Sequence, residues 1–172
     1  KDDASTANSS YGYFAPGPSG QPDKRSMDRI DFANDTATAS PRGNIINDAD
    51  NRSAVSSREN GLPTTAPGPV TIDKGADGYT TSSSGPAMGY TLGGAFPYSY
   101  STVDRIDYSN DTATASVKGP LSAGTSYQAA VSSKDHGYSM GGKTPGEGKS
   151  SKVDRVDYAN DAANASSKGY LY

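Results

Sequence analysis

The sequence predicts an all-β repeat fold, and three observations carry that prediction. A phrase of 14 residues occurs three times, as Met27-Asp28-Arg29-Ile30-Asp31-Phe32-Ala33-Asn34-Asp35-Thr36-Ala37-Thr38-Ala39-Ser40, as 103–116 beginning Val103-Asp104-Arg105-Ile106-Asp107-Tyr108, and as 153–166 beginning Val153-Asp154-Arg155-Val156-Asp157-Tyr158. Within it the period is two: Val103, Arg105 and Asp107 alternate with Asp104, Ile106 and Tyr108, and no stretch of the chain has a helical period. The segments around the phrase recur with it, so the chain is built from units of about 48 to 50 residues.

Composition bounds the class. Leu, Ile, Val and Phe supply only 19 of 172 residues, a level at which disorder is usually suspected. Disorder also expects high net charge and few aromatics, whereas this chain has a net charge of −3 and 12 Tyr. An ordered β repeat that stacks small side chains closely fits better. With no Cys there is neither a disulfide framework nor a thiolate metal site. The 16 basic and 19 acidic residues are interspersed, which argues against a nucleic-acid-binding stripe. No apolar run approaches the roughly 18 residues that would cross a bilayer, and no signal peptide is visible.

Taken in order, residues 1–10 are small and polar. Gly12-Tyr13-Phe14 follows, then a loop rich in Pro and Gly, then the first copy of the phrase, closed by Pro41-Arg42-Gly43. Ser53-Ala54-Val55-Ser56-Ser57 matches Ala129-Ala130-Val131-Ser132-Ser133 at the 76-residue offset that also separates the first two phrases. Gly89-Tyr90-Thr91-Leu92-Gly93-Gly94 returns 48 residues later as Gly137-Tyr138-Ser139-Met140-Gly141-Gly142. The first offset exceeds one unit, and the excess falls in 61–88, where Ile72-Asp73 and Gly85-Pro86 echo the phrase faintly. That stretch is read as a degenerate unit, with a plain insertion as the alternative.

Val103 to Tyr108 is expected as one strand and Thr112 to Val117 as the next, joined through Ser109-Asn110-Asp111, whose side chains suit a turn. Tyr90 to Gly93 and Tyr127 to Ser132 are expected as two further strands. Four short strands per unit is the pattern of a β-propeller blade. The expected organisation is one domain, 1–172, with units at about 12–60, 61–88 (degenerate), 89–136 and 137–172. Residues 1–10 are a candidate strand to complete the last blade, within one chain or by exchange with a neighbour.

The order of pieces, an apolar strand ending in Gly-Gly, a loop, an acidic and aromatic hairpin and a small-residue strand, resembles kelch-type blades. It departs from them in having no Trp. The wording Val-Asp-Arg-Ile-Asp-Tyr-Ser-Asn-Asp-Thr-Ala-Thr-Ala-Ser also resembles repeats in long virion or tail-associated proteins of aquatic phages. That resemblance implies a structural role and a virion or extracellular location.

Candidate chemistry is sparse. Asp104 and Asp107 invite a calcium reading, but they lie on opposite faces of a strand and lack the ligand spacing of a calcium loop. The better reading is structural, with Arg105 and Asp107 on one face able to form an ion pair between sheets. It applies equally to Asp28, Arg29, Asp31, Asp104, Asp154, Arg155 and Asp157. His136, the single histidine, is read as a surface loop residue, and no nucleophile elbow accompanies any Ser. The glycine pairs precede no helix, so close sheet approach explains them better than phosphate binding. Phe96, Tyr98 and Tyr100 form the candidate ligand-contact surface. Asn34 and Asn110 are candidate glycosylation sites in the turn of the phrase.

No catalytic residue, cofactor or metal is expected. The expected function is a structural or adhesive repeat protein of a virion appendage or extracellular fibre, self-associating, not inserted in a membrane and not bound to nucleic acid. The alternative is a carbohydrate-binding propeller that uses Tyr-rich loops on a cell-surface glycan.

Overall fold

A computed structural model of the chain describes residues 4–8, 10–15, 25–47, 49–57, 71–72, 79–80, 88–95, 98–133, 135–146 and 148–172. Among these there is no α-helix, only a 3-10 turn at Tyr158–Asn160. Three four-stranded antiparallel sheets account for most of the fold. The first contains β1 (Ala4–Ala7), β2 (Tyr11–Ala15), β3 (Ser26–Asp31) and β4 (Ser40–Asn44), in that order. The second is built from β5 (Ser53–Ser56), β8 (Met88–Leu92), β9 (Val103–Asp107) and β10 (Ser116–Lys118). The third comprises β11 (Ala129–Ser132), β12 (His136–Met140), β15 (Lys152–Asp157) and β16 (Ser166–Tyr170). Two short ladders interrupt the path, β6 (Thr71–Ile72) with β7 (Tyr79–Thr80), and β13 (Lys143–Thr144) with β14 (Gly148–Lys149).

The sheets pack face to face, and the alternation of the repeated phrase is what permits this. In β9, Val103 faces the third sheet and Ile106 the first, and each is at most 2% exposed. One core holds Met27, Ile45, Ala4 and Ala15 of the first sheet and its tail against Ile106 and Ala115 of the second. The next holds Tyr90, Leu92, Val103 and Leu121 against Val156 and Ala165. Stacked rings bridge both cores: Tyr13 on Tyr108 at 4.8 Å and Tyr90 on Tyr158 at 5.0 Å. Small residues let so few large aliphatics suffice, because they bring the sheets close. A Cβ at Gly43 would lie 1.8 Å from the Ala113 carbonyl oxygen, and one at Gly119 would lie 1.9 Å from that of Ala163.

The structure moves three expected boundaries. The Ala-Val-Ser-Ser segment opens the second and third sheets instead of closing the unit before it, with Val55 opposite Tyr90 and Val131 opposite Tyr138. A short link from β11 to β12 favours the antiparallel partner that follows at once. For the same reason Ala4–Ala7 pairs with β2 in the first sheet, Ala4 opposite Ala15. The third sheet already has four strands, so the premise of the strand-exchange reading, a last unit short of a strand, is not met. The arm expected at Thr112 to Val117 is shorter, Ser116–Lys118, because Asp111 to Ala115 is drawn out of the sheet toward its neighbour. Most of 61–88 lies outside the described residues. Apart from Met88, which opens β8, what is described there is the β6–β7 ladder, placed in the chain between β5 and β8, which pair directly.

Candidate functional site: an aspartate clamp between sheets

The turn after each Asp-Arg strand is built the same way three times. Asp31, Asp107 and Asp157 each accept a hydrogen bond at Oδ1 from the backbone N–H two residues on, at 2.9, 2.8 and 3.0 Å. At Asp107 the Ser109 hydroxyl adds a second bond of 2.6 Å, and this pair of donors holds the carboxyl below the usual carboxylate range. Asp107 is therefore occupied within its own turn. Arg105 is not among its partners and reaches the next sheet instead.

Its partner there is Asp161, four residues past the equivalent Asp157. The Asp161 Oδ2 accepts from Arg105 Nη1 at 2.8 Å and from the Tyr90 hydroxyl at 3.0 Å, and Lys118 Nζ lies 3.3 Å from Oδ1. Between the first and second sheets Asp111 takes the same place, accepting from Arg29 Nη1 at 2.7 Å and the Tyr13 hydroxyl at 2.9 Å, with Arg42 Nε at 3.5 Å. Backbone bonds reinforce each clamp. The Gly43 N–H donates to the Asp111 carbonyl at 2.7 Å and the Gly119 N–H to that of Asp161 at 2.8 Å. The Ala115 N–H donates to the Asn44 carbonyl and the Ala165 N–H to that of Pro120.

The other acid of the phrase also crosses between sheets. Asp104, fully buried, accepts from the Ile46 N–H at 3.3 Å and pairs with Arg52, whose Nη1 lies 3.5 Å away. Burial raises its carboxyl above the ordinary value, and Arg52 works against that shift. At Asp154 the Ser122 N–H and hydroxyl replace Ile46 and Arg52, at 2.9 and 2.7 Å. Arg29, Arg105, Asp104 and Asp154 thus each bond across a junction between sheets.

Burial is the first cause that lifts Tyr13, Tyr90 and Tyr158 well above the ordinary tyrosine range; the neighbouring Asp111 and Asp161 add to it for the first two. A raised folded-state value means stability that is intact below the ordinary tyrosine pKa of about 10 and lost as pH rises beyond it. Alkaline titration followed by phenolate absorbance should leave three tyrosines un-ionised until the strand signal in circular dichroism is lost. Ionisation of every tyrosine with the strands intact would contradict the placement.

The remaining candidates scatter. Tyr98 is 75% exposed, Tyr100 is half-buried with its backbone bonded to Gly94 and Thr125, and Phe96 lies outside the described residues. His136 opens β12 instead of occupying a loop, with its ring 6.2 Å from that of Tyr138. Gly93 and Gly94, with φ of 58° and 113°, take the chain out of β8. There a Cβ on Gly93 would lie 2.4 Å from the Thr125 carbonyl oxygen, so close approach explains them. Asn34 and Asn110 are exposed in their turns, each with its N–H on the preceding Asp carbonyl. Among the described residues no group of three or more His, Asp or Glu is arranged to hold a metal ion, and no helix is long and apolar enough to cross a membrane. An open cleft of about 350 Å³ runs along the first strands of all three sheets, lined by Ser, Thr, Ala, Val, Gly and Phe with no titratable group.

Sequence reasoning missed Tyr13, Tyr90, Asp111 and Asp161 as members of the clamp, and Arg42 and Lys118 beside them. Part of the signal was present: Asp111 and Asp161, Arg42 and Lys118, and Gly43 and Gly119 keep their places relative to the phrase, whereas Tyr13 and Tyr90 differ by one residue. No protein-family model matches the chain, and no curated protein matches it in sequence.

Proposed function

We propose that this protein is a structural, adhesive repeat protein of a virion appendage or extracellular fibre, with its sheets arranged as blades of a kelch-like propeller array. The observation that carries the reading is the aspartate clamp: the chain's buried carboxylates, arginines and tyrosine hydroxyls bond one sheet to the next, by the same plan at both junctions. A catalytic constellation occurs once in a fold; cohesion between repeats has to be solved at each junction. The side-by-side placement of β1 with β5 and of β5 with β11 supports the propeller reading, because inner strands of neighbouring blades adjoin around an axis. Immunogold labelling of native material with antibody against the chain should decorate surface appendages or fibres. Label confined to the cell interior would overturn the reading.

A second reading, glycan binding, has one observation in its favour, the exposure of Tyr98 beside the half-buried Tyr100. Sugar binding on a glycan array that disappears with Tyr98→Ala would establish it.

A further inference from the structure

Each junction between sheets has a socket half and a plug half, and the outer faces of the stack carry one of each that no other described residue fills. The socket half, which donates the hydrogen bonds, is a Tyr and an Arg opposite each other on neighbouring strands, a basic residue on the last strand and a glycine after it. Tyr13 faces Arg29 and Tyr90 faces Arg105 in this way, with Arg42-Gly43 and Lys118-Gly119 beyond. On the outer face of the third sheet, Tyr138 faces Arg155 in the same register, with Lys168-Gly169 beyond. There Arg155 Nε is buried without a partner, and a Cβ on Gly169 would meet nothing within 4 Å. Leu171, at the position of the buried Ile45 and Leu121, is 47% exposed.

The plug half, whose carboxylate accepts them, is an Asp in the turn, a ring on the strand before it and a glycine beneath that ring. Asp111, Tyr108 and Gly89 supply it in the second sheet, and Asp161, Tyr158 and Gly137 in the third. Gly89 receives the Thr6 methyl and Gly137 a Val55 methyl of the preceding sheet, where a Cβ would approach to 2.9 and 2.8 Å. The first sheet offers Asp35, Phe32 and Gly12 in these places on its outer face: Asp35 is exposed, and Phe32 is 48% exposed. The apolar match holds as well. Tyr108 bonds its hydroxyl to that of Thr6, whereas the residue awaiting Phe32, which has no hydroxyl, is Val131.

We propose that the third sheet of one copy docks on the first sheet of a second copy. Asp35 enters the socket of Tyr138, Arg155 and Lys168, and Phe32 stacks on Tyr138. A second copy is the occupant because charge, ring and glycine complement one another at each position, and because among the described residues no hydrogen bond or ion pair joins the two halves within one chain, although Phe32 and Val131 line one open cleft. The contact is heterologous, so it propagates head to tail unless the rotation closes a ring. This inference rests on the reading of the protein as a structural repeat protein and supplies its means of assembly.

Sedimentation velocity on the full chain over a rising concentration series tests it. The wild type should assemble, whereas Asp35→Ala and Arg155→Ala, each with unchanged melting, should stay monomeric. An equimolar mixture of the two should stop at a dimer, since only one intact plug half and one intact socket half remain to meet. Lys168→Glu, on an exposed side chain, gives a second socket variant should Arg155→Ala fold poorly. A wild type that stays monomeric, variants that assemble like it, or a mixture that stays monomeric would each overturn the proposal. So would a disulfide closed within a single chain by Asp35→Cys with Lys168→Cys, which should instead link separate copies. Immunogold labelling reads the function independently: labelled appendages with unaltered variant assembly sink the interface alone, and capped dimers without surface label sink the structural role alone.

Discussion

Asp111→Ala should lower the melting midpoint by roughly 10 °C, the largest loss expected from any single carboxylate in the first junction. An exposed ion pair contributes little, with a median near 0–1 kcal/mol. Asp111 is not in that class. Its side chain is 9% exposed, and it faces two arginines that are only 20–21% exposed and a fully buried tyrosine hydroxyl. Removing it leaves two guanidinium groups and a phenol without their acceptor, and breaking such a group by deleting one partner costs about 3–5 kcal/mol. For a chain of this size, each kcal/mol shifts the midpoint by about 2–4 °C. Asp111→Asn should lie between, because an acceptor oxygen remains while the charge is lost. The control is built into the repeat: Asp35→Ala, at the same position with no sheet against it, should leave the melting of the isolated chain unchanged. A loss below about 1 kcal/mol for Asp111→Ala would mean that the clamp is an ordinary surface contact.

The part of the fold legible in sequence was the part set by local period. Alternation at Val103 to Tyr108 located β9 and assigned its faces correctly, and the third and first copies located β15 and β3. Recurrence located β8, β5 and β11. What recurrence could not do was decide which neighbour β5 or β11 pairs with, because a repeat read along a chain has no natural starting point. Pairing is decided by loop length and by tertiary contact, and the unit was therefore cut in the wrong place.

The clamp was half legible for a related reason. Two residues apart on a strand means one face, so Arg105 and Asp107 suggest an Arg–Asp pair between sheets. That geometry holds, but Asp107 is claimed first by Ser109 in its own turn, leaving Arg105 to the next sheet. Asp161 lies 56 residues from Arg105 and beyond a strand end, where period two no longer says where a side chain points. Only recurrence carried the signal: Arg29 and Arg42 are spaced as Arg105 and Lys118 are, and Asp111 stands in its copy of the phrase where Asp161 stands in the next. It can be read only once the turn is known to belong to the junction.

Gly119→Ala should destabilise the chain by about 3 kcal/mol, at the upper end of what overpacking a buried site costs, while the same change at Gly169 should not. The obstacle at Gly119 is backbone, the Ala163 carbonyl oxygen at 1.9 Å and its carbon at 2.3 Å, so no side-chain rotation relieves it. The sheets must part, which strains the Gly119 N–H bond to Asp161 and the Ala165 N–H bond to Pro120. Gly43→Ala meets the Ala113 carbonyl at 1.8 Å and should behave alike. Gly169 has open space around its missing Cβ and no left-handed backbone angle. Alanine there restricts the unfolded chain and should be neutral or stabilising by up to about 1 kcal/mol. Under conditions where the wild type assembles, Gly169→Ala should nonetheless block assembly, since an incoming Ala37 carbonyl would meet the new methyl as Ala113 and Ala163 would at their own junctions. Equal destabilisation at Gly43, Gly119 and Gly169 in the isolated chain would show that glycine serves the strand itself. The expected inequality, two costly sites and one free one, shows that it serves the junction.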